Sequence, residues 1–210
     1  MSDDYGFGED NNSEGRFMYF AHQGEFENKF YRGKGDGKEV LNFQHMMLDH
    51  DSIQTGWVWV RKNMHPVCVW NDEPKVWKAN PGQTQQEMDN YKKGFNVNVY
   101  IKDVGLVTWS GSSRGAGSAF GKMMSEIEQG RNENAGKYPV IKLDGVEVKR
   151  YEKGGGTSIP QLTVVSWQED KDDNFSDYQP NGAYQEPAPV AQQQHEVIPQ
   201  SEMSDSDIPF

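Results

Sequence analysis

Trp57, Trp59 and Arg61 alternate with valines in the run 55–62 of the sequence. If this run forms a β-strand, the three side chains share one face, because successive residues of a strand point to opposite faces. An indole ring can stack on another flat ring, and a guanidinium can pair with an anion such as phosphate. We therefore expect a surface that combines aromatic stacking with positive charge, while the valines face a core.

Two further runs divide in the same way. In the run 95–102 the odd positions are apolar. In the run 146–153 the first two even positions are Val146 and Val148, and we expect both valines to be buried. The opposite faces carry the further candidates Tyr100, Lys102, Lys149, Tyr151 and Lys153.

Aromatic rings and bases on one surface are what the binding of single-stranded nucleic acid requires. Every base has a flat face that can stack on a ring, at about 1–3 kcal/mol per base, and lysine or arginine neutralises phosphates. Lys34, in the glycine-rich loop 32–38, adds a further cation in this interpretation. Each feature also has a plainer interpretation: indoles buried beneath a helix, half-buried strand tyrosines, and a lysine that keeps a hairpin tip solvated. Only the three faces together favour nucleic-acid binding.

The elements that would position these faces are mostly strands. Short runs of β-branched and aromatic residues are broken by Gly, Asn and Asp at the spacing of an all-β domain. The predicted strands are 17–22, 26–32, 55–62, 67–70, 95–102, 104–110, 138–143, 146–151 and 161–167. Such a set fits a small barrel or sandwich.

Turns and helices complete this prediction. Lys102-Asp103 and Asp144-Gly145 are expected to join two pairs of strands as hairpins. One helix is expected at 84–93 with its N-cap at Thr84, and a second at 118–129, where Gly130 could terminate it.

Charge divides the chain of 210 residues into three parts. Residues 1–14 hold five acids and no base, and residues 169–210 hold ten acids and one base, Lys171. The residues between them hold 20 bases, 17 acids and all six tryptophans, although the formal net charge of the whole chain is −11. We therefore expect one folded domain at 15–168, an acidic disordered leader at 1–14 and an acidic disordered tail at 169–210.

Several kinds of chemistry find no support in the sequence. A single cysteine, Cys68, excludes a disulfide framework and predicts a small buried hydrophobe in a reducing compartment. His65 and Cys68 lack the second half of a zinc site, and Ala116 and Met123 break the phosphate-loop motif before and after Lys122. The sequence predicts no catalytic site, cofactor, bound metal, signal peptide or membrane helix, which favours a cytoplasmic protein that is not an enzyme.

The last residues of the chain make a resemblance to a known family specific. An acidic tail that finishes in Asp-Ile-Pro-Phe, from Asp207 to Phe210, resembles the C-terminal tip of bacterial single-stranded DNA-binding proteins. Asp205 adds to the acidity, while Ser204 and Ser206 interrupt the denser aspartate run of the bacterial tip. The plan of a basic β core and an acidic tail ending in Phe also resembles phage single-strand binders.

This resemblance implies a fold and two activities. The fold is an OB-fold, a five-stranded Greek-key barrel, here with extra hairpins and one or two short helices. In the family the core coats unpaired DNA without sequence preference, and the tip docks onto proteins of replication, recombination and repair. The residues of this chain that correspond to the tip are Asp205, Asp207, Ile208, Pro209 and Phe210.

Physical chemistry gives the tip and the tail plausible actions without the family. Phe210 offers a ring for a pocket and a terminal carboxylate for a base, which is a known mode of C-terminal capture. A flexible tail of this length has an end-to-end distance of roughly 35 Å, so it could compete with DNA for the basic face of the core.

Other functions fit parts of the same pattern. A strand-annealing or recombination accessory protein would pair complementary strands, and a metal-dependent nuclease on a β scaffold would need clustered carboxylates. A third alternative is an adaptor that displays two acidic arms without binding DNA. The sequence leaves open whether the chain forms a homo-oligomer.

Overall fold

The computed structural model describes residues 17–21, 24–33, 37–61, 66–150 and 155–175. Several candidates therefore lie outside the described residues, namely Lys34, Tyr151, Lys153 and the tip residues Asp205, Asp207, Ile208, Pro209 and Phe210. The expected leader 1–14 lies outside them too.

The described residues form one sheet of nine strands and two α-helices, so the expectation of a mostly β domain is confirmed. The elements are β1 (Phe17–Phe20), β2 (Phe30–Arg32), β3 (Glu39–Leu41), β4 (His45–Trp59), β5 (Val67–Trp70), α1 (Gln85–Asn90), β6 (Lys92–Ile101), β7 (Gly105–Gly111), α2 (Arg114–Arg131), β8 (Tyr138–Arg150) and β9 (Gly156–Gln168). The strand order is β3-β2-β1-β7-β6-β4-β8-β9, with β5 pairing with β4 beside this path. The β1–β7 pair is parallel, and the other pairs are antiparallel.

The long strand β4 gives the sheet its curl. It pairs with β6 along both of its halves, and the register shifts between Asp49 and Gln54. On its other edge, the start of β4 pairs with β8 and the end pairs with β5. Such an irregularity bends the strand and increases its local twist. The sheet is therefore a curled half-barrel.

The hydrophobic core lies between this sheet and α2. Trp109 and Val99, from the central strands β7 and β6, are fully buried. Phe120 of α2 stacks on Phe95 of β6 with the ring centroids 4.0 Å apart. Burial of apolar area stabilises the folded state by about 25 cal/mol per Å². These aromatic contacts therefore stabilise the packing of α2 on the sheet.

Both helices form close to where the sequence predicts them. The hydroxyl of Thr84 accepts from the N–H of Glu87 at 3.2 Å, while the Glu87 carboxylate accepts from the N–H of Thr84 at 3.3 Å. This capping box confirms Thr84 as the N-cap of α1. α2 is longer than predicted, because it begins after Ser113, whose hydroxyl accepts from the N–H of Ala116 at 3.2 Å.

Gly130 does not terminate α2, which continues to Arg131. This glycine instead packs closely against β9. A Cβ on Gly130 would lie 2.9 Å from Cζ2 of Trp167. At the other end of the helix, a Cβ on Gly115 would overlap the backbone carbonyl oxygen of Ser158. These glycines therefore serve a contact between α2 and β9.

The predicted hairpin at Asp144-Gly145 is wrong, because β8 continues through this pair as one strand. Both halves of β8 pair with β9, and the register shifts between Leu143 and Gly145. The Asp144 carboxylate accepts from the hydroxyl of Thr163 at 2.9 Å and pairs with Lys142 at 2.7 Å. An Asp-Gly pair suits a bulge as well as a turn, since glycine tolerates positive φ and Gly145 has a φ of 145°.

The predicted hairpin at Lys102-Asp103 is confirmed. It joins β6 to β7, Asp103 has a φ of 70°, and the N–H of Val104 donates to the carbonyl of Ile101 at 3.1 Å. The limits predicted for β5 are confirmed as well. The strand β3 was not predicted because it has only three residues, and the first half of β4 was not predicted because His45, Asp49, His50 and Asp51 interrupt its apolar residues.

The folded unit continues past the predicted boundary at Gln168. The carboxylate of Asp170 accepts from the side-chain amide of Asn174 at 2.7 Å and from the N–H of Phe175 at 3.0 Å. The Phe175 ring packs on Tyr138 with centroids 4.7 Å apart. Residues 169–175, which the sequence assigned to the tail, therefore lie against the domain, to which Phe175 supplies an apolar contact.

Candidate nucleic-acid interface

The end of β4 places Trp57 and Trp59 beside β5 and the start of β6. Lys93 of β6 lies directly opposite Trp57 in the register, and Val69 of β5 lies opposite it on the other side. Cross-strand neighbours share a face of a sheet. Both indoles are half-buried.

Trp57 belongs to a group of two indoles and one ammonium. Its ring meets Trp77 edge to face with centroids 5.8 Å apart, and its Nε1 donates to the carbonyl of Lys78 at 2.9 Å. The Lys93 ammonium lies 4.5 Å from the centroid of Trp77 and 5.9 Å from that of Trp57. Trp77 is 37 % exposed, so its ring is accessible to a ligand.

The segment that carries Trp77 is tied to β4 by side-chain hydrogen bonds. The hydroxyl of Thr55 donates to the carbonyl of Pro74 at 2.6 Å, and the side-chain amide of Asn71 donates to the Thr55 hydroxyl at 2.8 Å. The oxygen of the same Asn71 amide accepts from the N–H of Lys78 at 3.0 Å. These bonds hold an irregular segment in one position, which fixes the Trp77 ring beside Trp57.

Trp59 forms a second aromatic group with a cation. Its ring meets Tyr91 edge to face with centroids 5.5 Å apart, and the Arg61 guanidinium carbon lies 5.5 Å from the Trp59 centroid. Burial, followed by the charge of Glu87, raises the pKa of the Tyr91 hydroxyl, so it stays protonated at neutral pH. The Nε atom of Arg61 is buried without a hydrogen-bond partner among the described residues.

Together these two groups form what we call the indole cluster. Its members are Trp57, Trp59, Arg61, Trp77, Tyr91 and Lys93. The sequence pattern identified the first three and missed the others. Lys93 and Tyr91 were missed because register is not visible in sequence. Trp77 carried a signal, since it lies between the two bases Lys75 and Lys78.

Tyr100 and Lys102 lie at the other end of β6. Lys93 and Tyr100 differ in parity along the strand, so they point to opposite faces. At about 3.3 Å per residue, the two positions are about 23 Å apart. The structure therefore brings Tyr100 and Lys102 together but separates them from the indole cluster.

Tyr100 and Lys102 line an open groove of about 840 Å³, which we call the lysine groove. It lies between the start of β4, the ends of β6 and β9, and the segment that follows β9. Its lining contains two acids, Glu169 and Asp172, and three lysines. Its lining also includes Tyr100, Val165 and Trp167, and its three lysines are Lys102, Lys137 and Lys171.

Lys149 lies apart from both surfaces. Its ammonium is 3.7 Å from the carboxylate of Glu147 on the same strand. The prediction that Val148 is buried is wrong, because this side chain is 51 % exposed. The reason is that β8 pairs with β4 only near its start, so its second half has β9 as its one strand partner among the described residues.

Several other cations of the described residues pair with a nearby acid. Arg131 pairs with Asp51 at 2.5 Å, Lys75 with Glu128 at 2.7 Å, and Arg32 with Glu39 at 2.8 Å. The basic residues of the indole cluster and of the lysine groove form no ion pair with any residue that the structure describes. They are Arg61, Lys93, Lys102, Lys137 and Lys171. An anionic ligand would therefore meet positive charge at these two places, which Glu169 and Asp172 partly offset in the lysine groove.

Neither a metal centre nor a membrane span accounts for these surfaces. Across the described ranges, no group of three or more His, Cys, Asp or Glu residues is placed to hold a metal ion. In the same part of the chain, neither helix is both long and apolar enough to cross a membrane. Burial raises the pKa of the Cys68 thiol to about 11, so it is not a nucleophilic thiolate at neutral pH.

No protein-family model, curated protein or solved structure matches this chain. The likeness to single-strand binders therefore remains a resemblance of the C-terminal sequence and of the overall plan.

Proposed function

We propose that this protein binds single-stranded DNA without sequence preference and has no catalytic activity. The observation that carries the proposal is the indole cluster, in which a lysine stands over two perpendicular indoles and an arginine over a third. Bases stack on aromatic rings whatever their sequence, and nearby cations neutralise the phosphates that link them. The half-exposed rings and unpaired cations of the cluster supply both.

The wider role follows from the resemblance of the tail. A basic core with an acidic tail ending in Ile208, Pro209 and Phe210 fits a protein that coats unpaired strands during replication, recombination or repair, as phage and bacterial proteins of this kind do. The tip would recruit partner proteins by capture of its terminal carboxylate and ring. The finer fold belongs to the same proposal: the half-barrel is a divergent, enlarged OB-fold.

Fluorescence titration with oligo(dT) tests the proposal, because the cluster holds three of the six tryptophans. We expect quenching on binding, and a weaker complex for Trp77→Ala, by about 1–3 kcal/mol for the loss of one stacked base. Val76→Ala is the matched control, since Val76 is 60 % exposed on the same segment and offers no ring. Absence of oligo(dT) binding at low salt by the wild-type protein would overturn the proposal.

A further inference from the structure

The lysine groove has the composition of a nucleic-acid surface in its own right. Its volume of about 840 Å³ lies within the range of about 300–1,000 Å³ that ligand sites occupy. Tyr100 supplies a ring, and Val165, which is 48 % exposed, supplies apolar surface to the same groove. Lys102, Lys137 and Lys171 supply positive charge. A ring beside cations is the same combination that the indole cluster shows.

The charge of the groove favours one strand over a duplex. Its three lysines form no ion pair with a described residue, but Glu169 and Asp172 line the same groove and reduce its net charge. A duplex carries one negative charge per roughly 1.7 Å of its axis. The small net positive charge of the groove compensates this charge density poorly. An unpaired strand carries fewer charges per unit length and exposes its bases to the ring of Tyr100.

We infer that the lysine groove is a second surface for single-stranded DNA, so that one chain holds two segments of strand at once. This inference rests on the proposed function. The two surfaces point to opposite faces of the sheet and are about 23 Å apart along β6. A short oligonucleotide therefore occupies one of them, and a longer strand, or a second strand, is needed to occupy both. Such a protein can wrap one strand or bring two strands close together.

Fluorine NMR of protein labelled with 5-fluorotryptophan separates the two surfaces. Trp167 reports on the lysine groove, Trp57, Trp59 and Trp77 report on the indole cluster, and the fully buried Trp109 reports on the fold. Single Trp→Phe variants assign the resonances. With oligo(dT) of about thirty nucleotides, well above the 4–16 nucleotides typical of one OB-fold site, we expect both the Trp167 resonance and the cluster resonances to shift.

The double variant Lys102→Ala/Lys137→Ala tests the groove directly. On binding oligo(dT), this variant should lose the shift of the Trp167 resonance and keep the shifts of the indole-cluster resonances. The slope of log affinity against log salt concentration should become shallower by about 1.4, which is about 0.7 for each lost phosphate contact. Lys29→Ala/Lys122→Ala is the matched control, because both lysines are exposed and form no ion pair with a described residue. This control should leave the slope and the shifts unchanged.

The two possible failures give different results. If no tryptophan resonance of the wild-type protein responds to either a short or a long strand, the proposed function itself is wrong. If the cluster resonances shift but Trp167 does not, and the groove variant keeps the salt slope of its control, only the second surface is overturned. An unchanged Trp109 resonance shows in each case that the variant is folded.

Discussion

A cation that stands over an indole ring serves a binding surface in two ways. It is held near the place where a stacked base would bring its phosphate, and it stays uncompensated by acids. Lys93 has this position over Trp77 and Trp57, and it is exposed. At the scale of single residues, the proposed function therefore depends on where a charge is placed as much as on how many charges the chain has.

Replacement of Lys93 by alanine should weaken oligo(dT) binding. It should also make the slope of log affinity against log salt concentration shallower by about 0.7, because one phosphate contact is lost. The measurement is a set of titrations across a range of salt concentrations. Lys122→Ala, an exposed lysine of α2, should leave the slope unchanged. Equal slopes for the two variants would show that Lys93 does not contact phosphate.

His50 makes the stability of the fold depend on pH. Its side chain is 9 % exposed, and its ring meets Tyr138 and Trp167 edge to face. Burial lowers the pKa of His50, with Arg131 acting in the same direction and the carboxylates of Asp51 and Asp49 opposing it. Because the unfolded state then binds a proton that the folded state resists, stability should fall as the pH drops below about 6.5.

Urea unfolding at about pH 7.5 and about pH 5.5 measures this effect of His50. We expect His50→Gln to lose less stability between these two pH values than the wild-type protein does. His45→Gln, which removes an exposed imidazole, is the control and should behave as the wild type. Burial also raises the pKa of Asp49, so protonation of Asp49 favours the folded state and offsets part of the loss at lower pH.

At the scale of elements, α2 closes the outer edge of the described sheet. The helix lies along β9, the last strand in the order, and the carboxylate of Glu126 accepts from the N–H of Val164 at 2.9 Å. An uncovered edge strand offers free backbone groups to other chains. Gly115 and Gly130 let the helix approach β9 closely.

Gly115→Ala and Gly121→Ala should change stability in opposite directions. A Cβ on Gly115 meets the backbone of Ser158, whereas nothing lies within 4 Å of a Cβ on Gly121. We expect the first change to destabilise by about 1–3 kcal/mol through overpacking and the second to stabilise by about 1 kcal/mol through helix propensity. Thermal and urea unfolding measure both. A neutral Gly115→Ala would contradict the close packing of α2 on β9.

At the scale of the whole molecule, positive and negative charge are separated along the chain. The candidate cations lie in the folded unit, and residues 176–210 hold six acids and no lysine or arginine. A nearby polyanion lowers the affinity of a basic surface for DNA, and salt screens this effect. The structure also defines where a truncation should begin, because Phe175 packs on Tyr138.

Removal of residues 176–210 should raise the affinity for oligo(dT) at low salt, and the gain should shrink as salt is added. The same truncation should abolish the capture of partner proteins. The full-length double variant Asp205→Asn/Asp207→Asn should still capture them, but more weakly. Salt-controlled titrations and pull-down of replication or repair proteins measure these effects. An affinity that does not change on truncation at low salt would exclude competition by the tail.

The sequence determined the features that depend on local chemistry. Alternation of apolar and polar residues was enough to predict the mostly β domain and the shared face of Trp57 and Trp59, and the residue type at the start of α1 was enough to predict Thr84 as its N-cap. The separation of basic core from acidic ends was visible in composition alone, because charge is additive along a chain.

Only the tertiary structure decided what depends on register and on partners distant in sequence. Asp144-Gly145 became a bulge because β9 pairs with both halves of β8. Lys93 and Trp77 joined the indole cluster because strand pairing and the hydrogen bonds of Asn71 placed them there. Tyr100 and Lys102 were separated from the tryptophans because parity along β6 assigns them to the opposite face. Local pattern fixes the face of each strand, but pairing decides which faces meet.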